Sequence, residues 1–252
     1  MSSMTVRQQL AAAFHIAVHH GWDQLIYNHF TCRSGSENRF LAHPFGLHFS
    51  EVTASSLLDV ELATGELVER SDQSTRPGLA LDMPFNRSAY VIHSCIYQAR
   101  PDVACVLHVH VPCIVAVASC QKGLIIGLSQ ESALVGPVTY HDYEGISTSL
   151  DEQRRIVENL GPLSHVLMLR NHGVVCCGRS VAHALSVLYH VWRACLIQTA
   201  LGHADHHLPD ATVVGDAFEV HANFTQAGND NLEFDAMVRL LMRNDPRCLF
   251  MQ

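Results

Sequence analysis

Apolar positions along the chain recur first at helical and then at strand intervals. Leu10, Phe14 and Ala17 lie three or four residues apart, Thr5 and Gln8 have capping-box spacing, and Gly21 supplies a stop, so the chain should open with a helix. Two hairpin-like pairs of extended runs follow. His29–Arg33 and Arg39–His43 flank the turn Ser34-Gly-Ser-Glu-Asn38, and Leu57–Leu62 and Glu66–Arg70 flank Thr64-Gly65. Beyond a polar linker, Ser71–Arg76, helices and strands alternate. Ala89–Ala99, Pro112–Ser119, Ser149–Leu160 and Ser180–Leu201 read as helices. Val103–His110, Val138–Tyr140, His165–Leu169 and Val174–Cys177 read as strands, the last two around the turn Arg170-Asn-His-Gly173. A polar stretch then leads to a last amphipathic helix, Leu232–Arg243. A meander followed by α/β alternation predicts a mixed sheet with helices on both faces.

Composition narrows the function classes. The 252 residues are 48% hydrophobic and 16% charged, with a formal net charge of −8 and no Lys/Arg run, a balance that argues against a general nucleic-acid binder. Apolar runs such as Val103–Leu107 and Cys113–Ala118 fall far short of the ~18 residues of a spanning helix. The opening Met1-Ser-Ser-Met-Thr-Val-Arg7 has no secretory apolar core, so a cytoplasmic protein is expected. Nine cysteines, whose only close pair is Cys176-Cys177, read as mostly buried thiols in a reducing compartment. The 18 histidines are more than structural roles usually need.

The sharpest local feature is His108-Val-His110 at the end of an apolar strand. Side chains i and i+2 of a strand share a face, so two imidazoles so placed can converge on one metal ion. About one such pair is expected by chance at this histidine content, so the pair needs context. His172, in a tight turn between two apolar strands, completes the three-ligand pattern of a catalytic metal site with an open position. The alternative is that each is a satisfied core or turn histidine. His203, His206 and His207 form a separate cluster in a polar setting, a solvated linker that invites adventitious metal.

Several motifs in order carry a resemblance. Ile96-Tyr-Gln-Ala-Arg-Pro-Asp-Val103 through His110, Leu169-Arg-Asn-His-Gly173 and Pro44-Phe-Gly46 resemble the central motifs of the class II aldolase/adducin family. Pro44 through Ser56, Tyr140-His-Asp-Tyr-Glu-Gly145 and Asn159-Leu-Gly-Pro162 are closest to its adducin-like branch. The resemblance covers residues 5–205 and implies a three-layer αβα fold around a central mixed, largely antiparallel sheet, usually in a homotetramer. Residues 206–252 are then expected to form a C-terminal extension whose terminal helix packs on the same domain. The resemblance places His108, His110 and His172 on the family's metal-ligand positions, which implies a divalent cation, zinc foremost, with iron or manganese as alternatives. Asn28, Gly46 and Ser88 match positions that hold a substrate phosphate in the family. Arg87 replaces a second serine there. As a forked donor it suits a carboxylate or phosphate, although it could equally be a surface residue. Sugar-phosphate aldolases of the family carry a catalytic Glu where this chain has Ala89, and a methyl group cannot accept a proton.

Other groups would then move protons. His141 suits general acid/base work, and Tyr143 and Glu131 follow apolar segments where loops carry function. A His-Asp pair such as His141-Asp142 equally serves to fix a turn. His93, within a helix, reads as a packing or hydrogen-bonding residue. The expected function is a metal-dependent carbon–carbon lyase, by retro-aldol or decarboxylation, on a small oxygenated anion with Lewis-acid stabilisation of enediolate-like charge. The alternatives are a non-catalytic scaffold like the adducin head and a non-haem iron oxygenase. Adducins continue into a long basic tail. The stop at Gln252 and the absence of a membrane-attracting basic patch favour an enzyme or small-molecule binder in this reading.

Overall fold

The computed structural model describes residues 4–36, 38–68, 85–202, 204–245 and 247–252. Helix α1, Val6–His20, begins where Thr5 and Gln8 close a capping box and ends at Gly21, whose φ of 69° a residue with a side chain rarely adopts. Strands β1 (His29–Arg33), β2 (Arg39–Ala42) and β3 (Leu58–Glu61) form the predicted meander. Helix α2 (Arg87–Ala99) leads to β4 (Cys105–Val109), α3 (Pro112–Ser119), α4 (Gln130–Leu134) and β5 (Val138–His141). Helix α5 (Gln153–Leu160), β6 (Val166–Leu169), β7 (Gly173–Gly178) and α6 (Val181–Leu201) complete the alternating part, and α7 (Ala211–Gln226) and α8 (Asp230–Asn244) follow.

The seven strands form one sheet in the order β3-β2-β1-β4-β7-β6-β5, antiparallel throughout except for the parallel pair β5–β6. This is the expected mixed, largely antiparallel sheet. Alternation along each central strand divides the core in two. Leu107 and Val109 of β4, Met168 of β6 and Cys176 of β7 face the layer of α1, α3, α6 and α8. Val106, Leu167, Val175 and Cys177 face α2 and α5. Adjacent Cys176 and Cys177 therefore enter opposite core layers, and burial pushes both thiols upward, Cys177 to about 12. All nine cysteines are free thiols. Among the described residues no helix is long and apolar enough to cross a membrane.

The structure corrects three readings. The stretch after α6 contains a full helix, α7, where the sequence read only a polar run. Its apolar face is thin, with Val213 and Val220 57% and 71% exposed, so no strong stripe marked it. It docks on α4 and the adjoining turns instead, where Val214 and Phe218 lie against Gly127 and Gly136 with no room for a Cβ. Second, Glu131 belongs to helix α4, capped by Ser129, and not to a loop. Third, the described part of the run Glu66–Arg70, residues 66–68, joins β3 through an isolated bridge of Leu67 to Val60 and not as a strand; Glu69, Arg70 and the linker Ser71–Arg76 lie outside the described residues. Helix α8 packs on α6 and α1 through buried Phe234 and Val238, and the buried Asp230 carboxylate at its start accepts from Arg179 at 2.9 Å.

Candidate metal centre

Topology brings the three candidate histidines together. Strands β4 and β7 are antiparallel neighbours, with Val109 opposite Val174, so the chain leaving β4 lies beside the turn that enters β7. That turn is made by Asn171, whose positive φ of 58° asparagine tolerates well, and by Gly173. A Cβ on Gly173 would stand 2.4 Å from the Val109 carbonyl oxygen and 3.0 Å from His110 Cδ2, so only glycine lets the strands approach here. Gly173→Ala is therefore expected to part the strand ends, displacing His172 from His110. Thermal denaturation should show a loss of about 1–3 kcal/mol, with zinc affinity falling in parallel; unchanged stability and affinity would refute this account.

The ligand atoms of His108, His110 and His172 all lie within 4.8 Å of one another. His108 Nε2 is 2.7 Å from His110 Nε2, which is 2.9 Å from His172 Nε2. Two hydrogen bonds decide the chemistry of this cluster. His108 Nδ1 donates to the Val174 carbonyl at 2.9 Å, and His110 Nδ1 donates to Gln24 Oε1 at 2.5 Å. Both protons are spent away from the centre, which leaves both Nε2 lone pairs directed at each other. Burial, reinforced by the neighbouring imidazoles, holds His108 well below the usual histidine range and His110 at about 4, and burial lowers His172 as well. The rings are neutral at pH 7. Converging neutral acceptors repel unless a cation lies among them, so the donor set fits a divalent ion of the kind that accepts imidazole.

A cavity of about 430 Å³ opens on this cluster. The N-terminus of α2 contributes Asn86, Arg87 and Ser88, and the loop after β5 contributes Tyr143, whose ring lies 6.4 Å from that of His172. Asn86 caps α2 by accepting from the Ser88 N–H at 2.9 Å, and the guanidinium of Arg87 lies 5.3 Å from the Tyr90 ring. No carboxylate is among the described lining residues, so the cavity presents Arg87 and a helix N-terminus without a balancing negative charge.

Of the residues singled out from sequence, His108, His110, His172, Arg87, Ser88 and Tyr143 thus share one cavity. Asn28 is buried behind it, its amide donating to the Trp22 carbonyl at 2.6 Å while its Oδ1 has no partner. Gly46, at φ +97°, follows the lining residue Phe45. His141 is 3% exposed and is held by the Glu152 carboxylate at 3.2 Å and by Asn159 at 2.8 Å, so it braces the loop below the cavity. Glu131 faces Arg193 at 3.9 Å and is outside the cavity. Sequence reasoning missed Gln24, Tyr27 and His29, all of which line the site. His29 and Thr31, two apart on β1, meet His93 and Tyr97, four apart on α2. Those spacings are visible in the sequence, although the partnership of β1 with α2 is not.

Over residues 8–199 the chain matches the family model for the class II aldolase and adducin N-terminal domain. The chain belongs to that family. Alpha-adducin of Rattus norvegicus is 46% identical over 194 residues, which are 77% of this chain and 25% of that protein, so the chain matches only about a quarter of its length. A crystal structure of an aldolase II superfamily protein from Pseudomonas syringae superposes with a TM-score of 0.85 at 36% identity, covering 97% of this chain and 94% of that one. The L-fuculose 1-phosphate aldolase of Glaciozyma antarctica shares the fold, with a TM-score of 0.78 at 23% identity over 98% and 92% of the two chains. The sheet and its flanking helices are therefore those of a class II aldolase fold.

Proposed function

We propose that the chain is a metal-dependent carbon–carbon lyase of the aldolase or decarboxylase type, acting on a small oxygenated anion. The observation that carries this reading is the convergence of three neutral imidazole Nε2 atoms, two of them, on His108 and His110, with the Nδ1 proton committed elsewhere. A divalent ion held by His108, His110 and His172, zinc foremost and iron or manganese next, would supply Lewis acidity toward a carbonyl or carboxylate oxygen. Arg87 and the first turn of α2 would bind the anionic end of the substrate, as a forked donor and aligned N–H groups do. Tyr143, 56% exposed at the rim, would exchange a proton with a bound ligand through its hydroxyl. Ala89 is 2% exposed beside His29, so a carboxylate base is missing at the position where sugar-phosphate aldolases carry one.

Exposed Leu25 and Ile146, 71% and 81% accessible beside the cavity residues Gln24 and Gly145, fit an assembly in which a second copy covers the rim, a homotetramer by analogy with the family. Residues 1–205 would be its domain, with 206–252 as an extension held by α8.

The test is reconstitution. Metal-stripped protein is loaded with zinc, iron(II) or manganese(II) and offered short 2-hydroxy and 2-oxo acids and sugar phosphates. Release of an aldehyde or of carbon dioxide, dependent on metal and weakened through KM by Arg87→Ala, is the expected result. A folded protein that takes up no divalent metal would overturn the reading and leave a binding scaffold like the adducin head.

A further inference from the structure

The polar ladder behind the cavity does more than fill space. Four side chains are linked in series: the Tyr97 hydroxyl is 2.8 Å from Thr31 Oγ1, Thr31 Oγ1 is 2.7 Å from His93 Nδ1, and His93 Nε2 is 3.0 Å from His29 Nδ1. All four are buried, and none is among the candidate metal ligands. The His29 ring lines the cavity, its centroid 4.7 Å from that of His108. With Nδ1 turned to His93, Nε2 is the nitrogen left for the cavity side.

Each link holds one proton, so the series runs in one of two directions or reverses at Thr31, where two donations to Oγ1 would leave the threonine proton without an acceptor among the described residues. If His29 Nδ1 donates inward, His93 donates to Thr31 and Thr31 to Tyr97. The phenolic proton then has no acceptor, because Thr31 Oγ1 is the hydrogen-bond partner of that hydroxyl among the described residues. A stranded proton on a buried hydroxyl is costly. If the series runs outward, Tyr97 donates to Thr31, Thr31 to His93 Nδ1, and His93 Nε2 to His29 Nδ1. Every proton within the series then has an acceptor, and His29 keeps its own on Nε2, toward the cavity.

We propose that His29 is a specificity-determining hydrogen-bond donor, a neutral imidazole whose Nε2–H the Tyr97–Thr31–His93 series holds toward the cavity. It selects ligands that bring an acceptor oxygen beside the three-histidine centre while Arg87 takes the anionic end. The ligand class is a small carboxylate with a second oxygen on the adjacent carbon, a 2-hydroxy or 2-oxo acid. This assignment of substrate class rests on the metal-site reading above, whereas the tautomer does not.

The experiment has two arms. In metal-free protein with 15N-labelled histidine, long-range proton–nitrogen spectra at pH 7 should show His29 as the Nε2–H tautomer. Tyr97→Phe, which removes the proton that sets the direction, should shift His29 to a mixture of tautomers, an effect that a packing role for Tyr97 would not produce. A His29 found as Nδ1–H, or unaltered in Tyr97→Phe, overturns the proposal. In zinc-loaded protein, His29→Leu should weaken oxalate binding about tenfold or more at unchanged zinc stoichiometry. Should that variant not fold, Tyr97→Phe is expected to weaken oxalate several-fold. Equal oxalate affinity in the variant overturns the proposal. Failure of the wild type to bind zinc at all would instead strike the metal reading, and the spectra would still decide the tautomer.

Discussion

The metal-free protein is expected to lose thermal stability steeply as the pH falls from 6.5 toward 4. His43 and His93 are almost fully buried, and burial pushes them down to about 4 and about 3; His29 and His108 are held well below the usual range for the same reason. In the unfolded chain all four return to the ordinary value near 6.5. Below that pH the unfolded chain binds protons that the folded chain refuses, so stability falls as acid is added. The neutral forms contribute fully above pH 6.5, and their contribution is lost progressively down to the folded values. Each group supplies a slope of about 1.4 kcal/mol per pH unit, so His43 and His93 alone remove about 5 kcal/mol by pH 4.5. A domain has about 5–15 kcal/mol in total. His43 offers a control, because it packs between Phe14 and Phe49 with its Nε2 unpartnered. In His43→Leu the melting temperature should depend less steeply on pH, by about one proton's worth. A melting temperature that stays level between pH 6.5 and 4.5 would refute this account.

The same burial explains which parts of the molecule were legible in the sequence. Strands β4, β6 and β7 are buried on both faces, and short, mostly apolar runs between turn residues are visible without any knowledge of neighbours. His108 and His110 declared themselves through the period of two, and His172 through the Asn-His-Gly turn. What remained hidden depends on pairings distant in the chain. Gln24 meets His110 only because β1 runs beside β4, which carries the segment before β1 to His110. His29 becomes a cavity residue because it sits directly opposite His108 in that pairing. The partners of His141 were hidden in the same way. A histidine next to an aspartate in a polar stretch reads as chemistry, yet Glu152 and Asn159, 11 and 18 residues further on, enclose it.

Removal of His110 should abolish stoichiometric metal binding while leaving the metal-free fold intact, and this is the largest effect expected at the site. His110 is the informative position, because it is half-buried beyond the end of β4, whereas His108 is fully buried and its Nδ1 serves the Val174 carbonyl. Truncating His108 would strand that carbonyl and open a hole in the core, confounding metal loss with instability. In His110→Ala the close approach of its Nε2 to both neighbours disappears. The metal-free melting temperature should hold or rise, while zinc falls from one per chain to none in competition with a chelator. Gln24→Ala keeps all three ligands and removes only the acceptor that fixes the His110 tautomer, so affinity should drop by about 10–100-fold and no further. This graded order, with ligand loss far exceeding loss of its support, separates an assembled centre from casual binding. His206 and His207 are exposed after α6 and can capture metal on their own. Zinc that survives His110→Ala and disappears in His206→Ala/His207→Ala would assign the ion to that surface pair and empty the cavity of its proposed role.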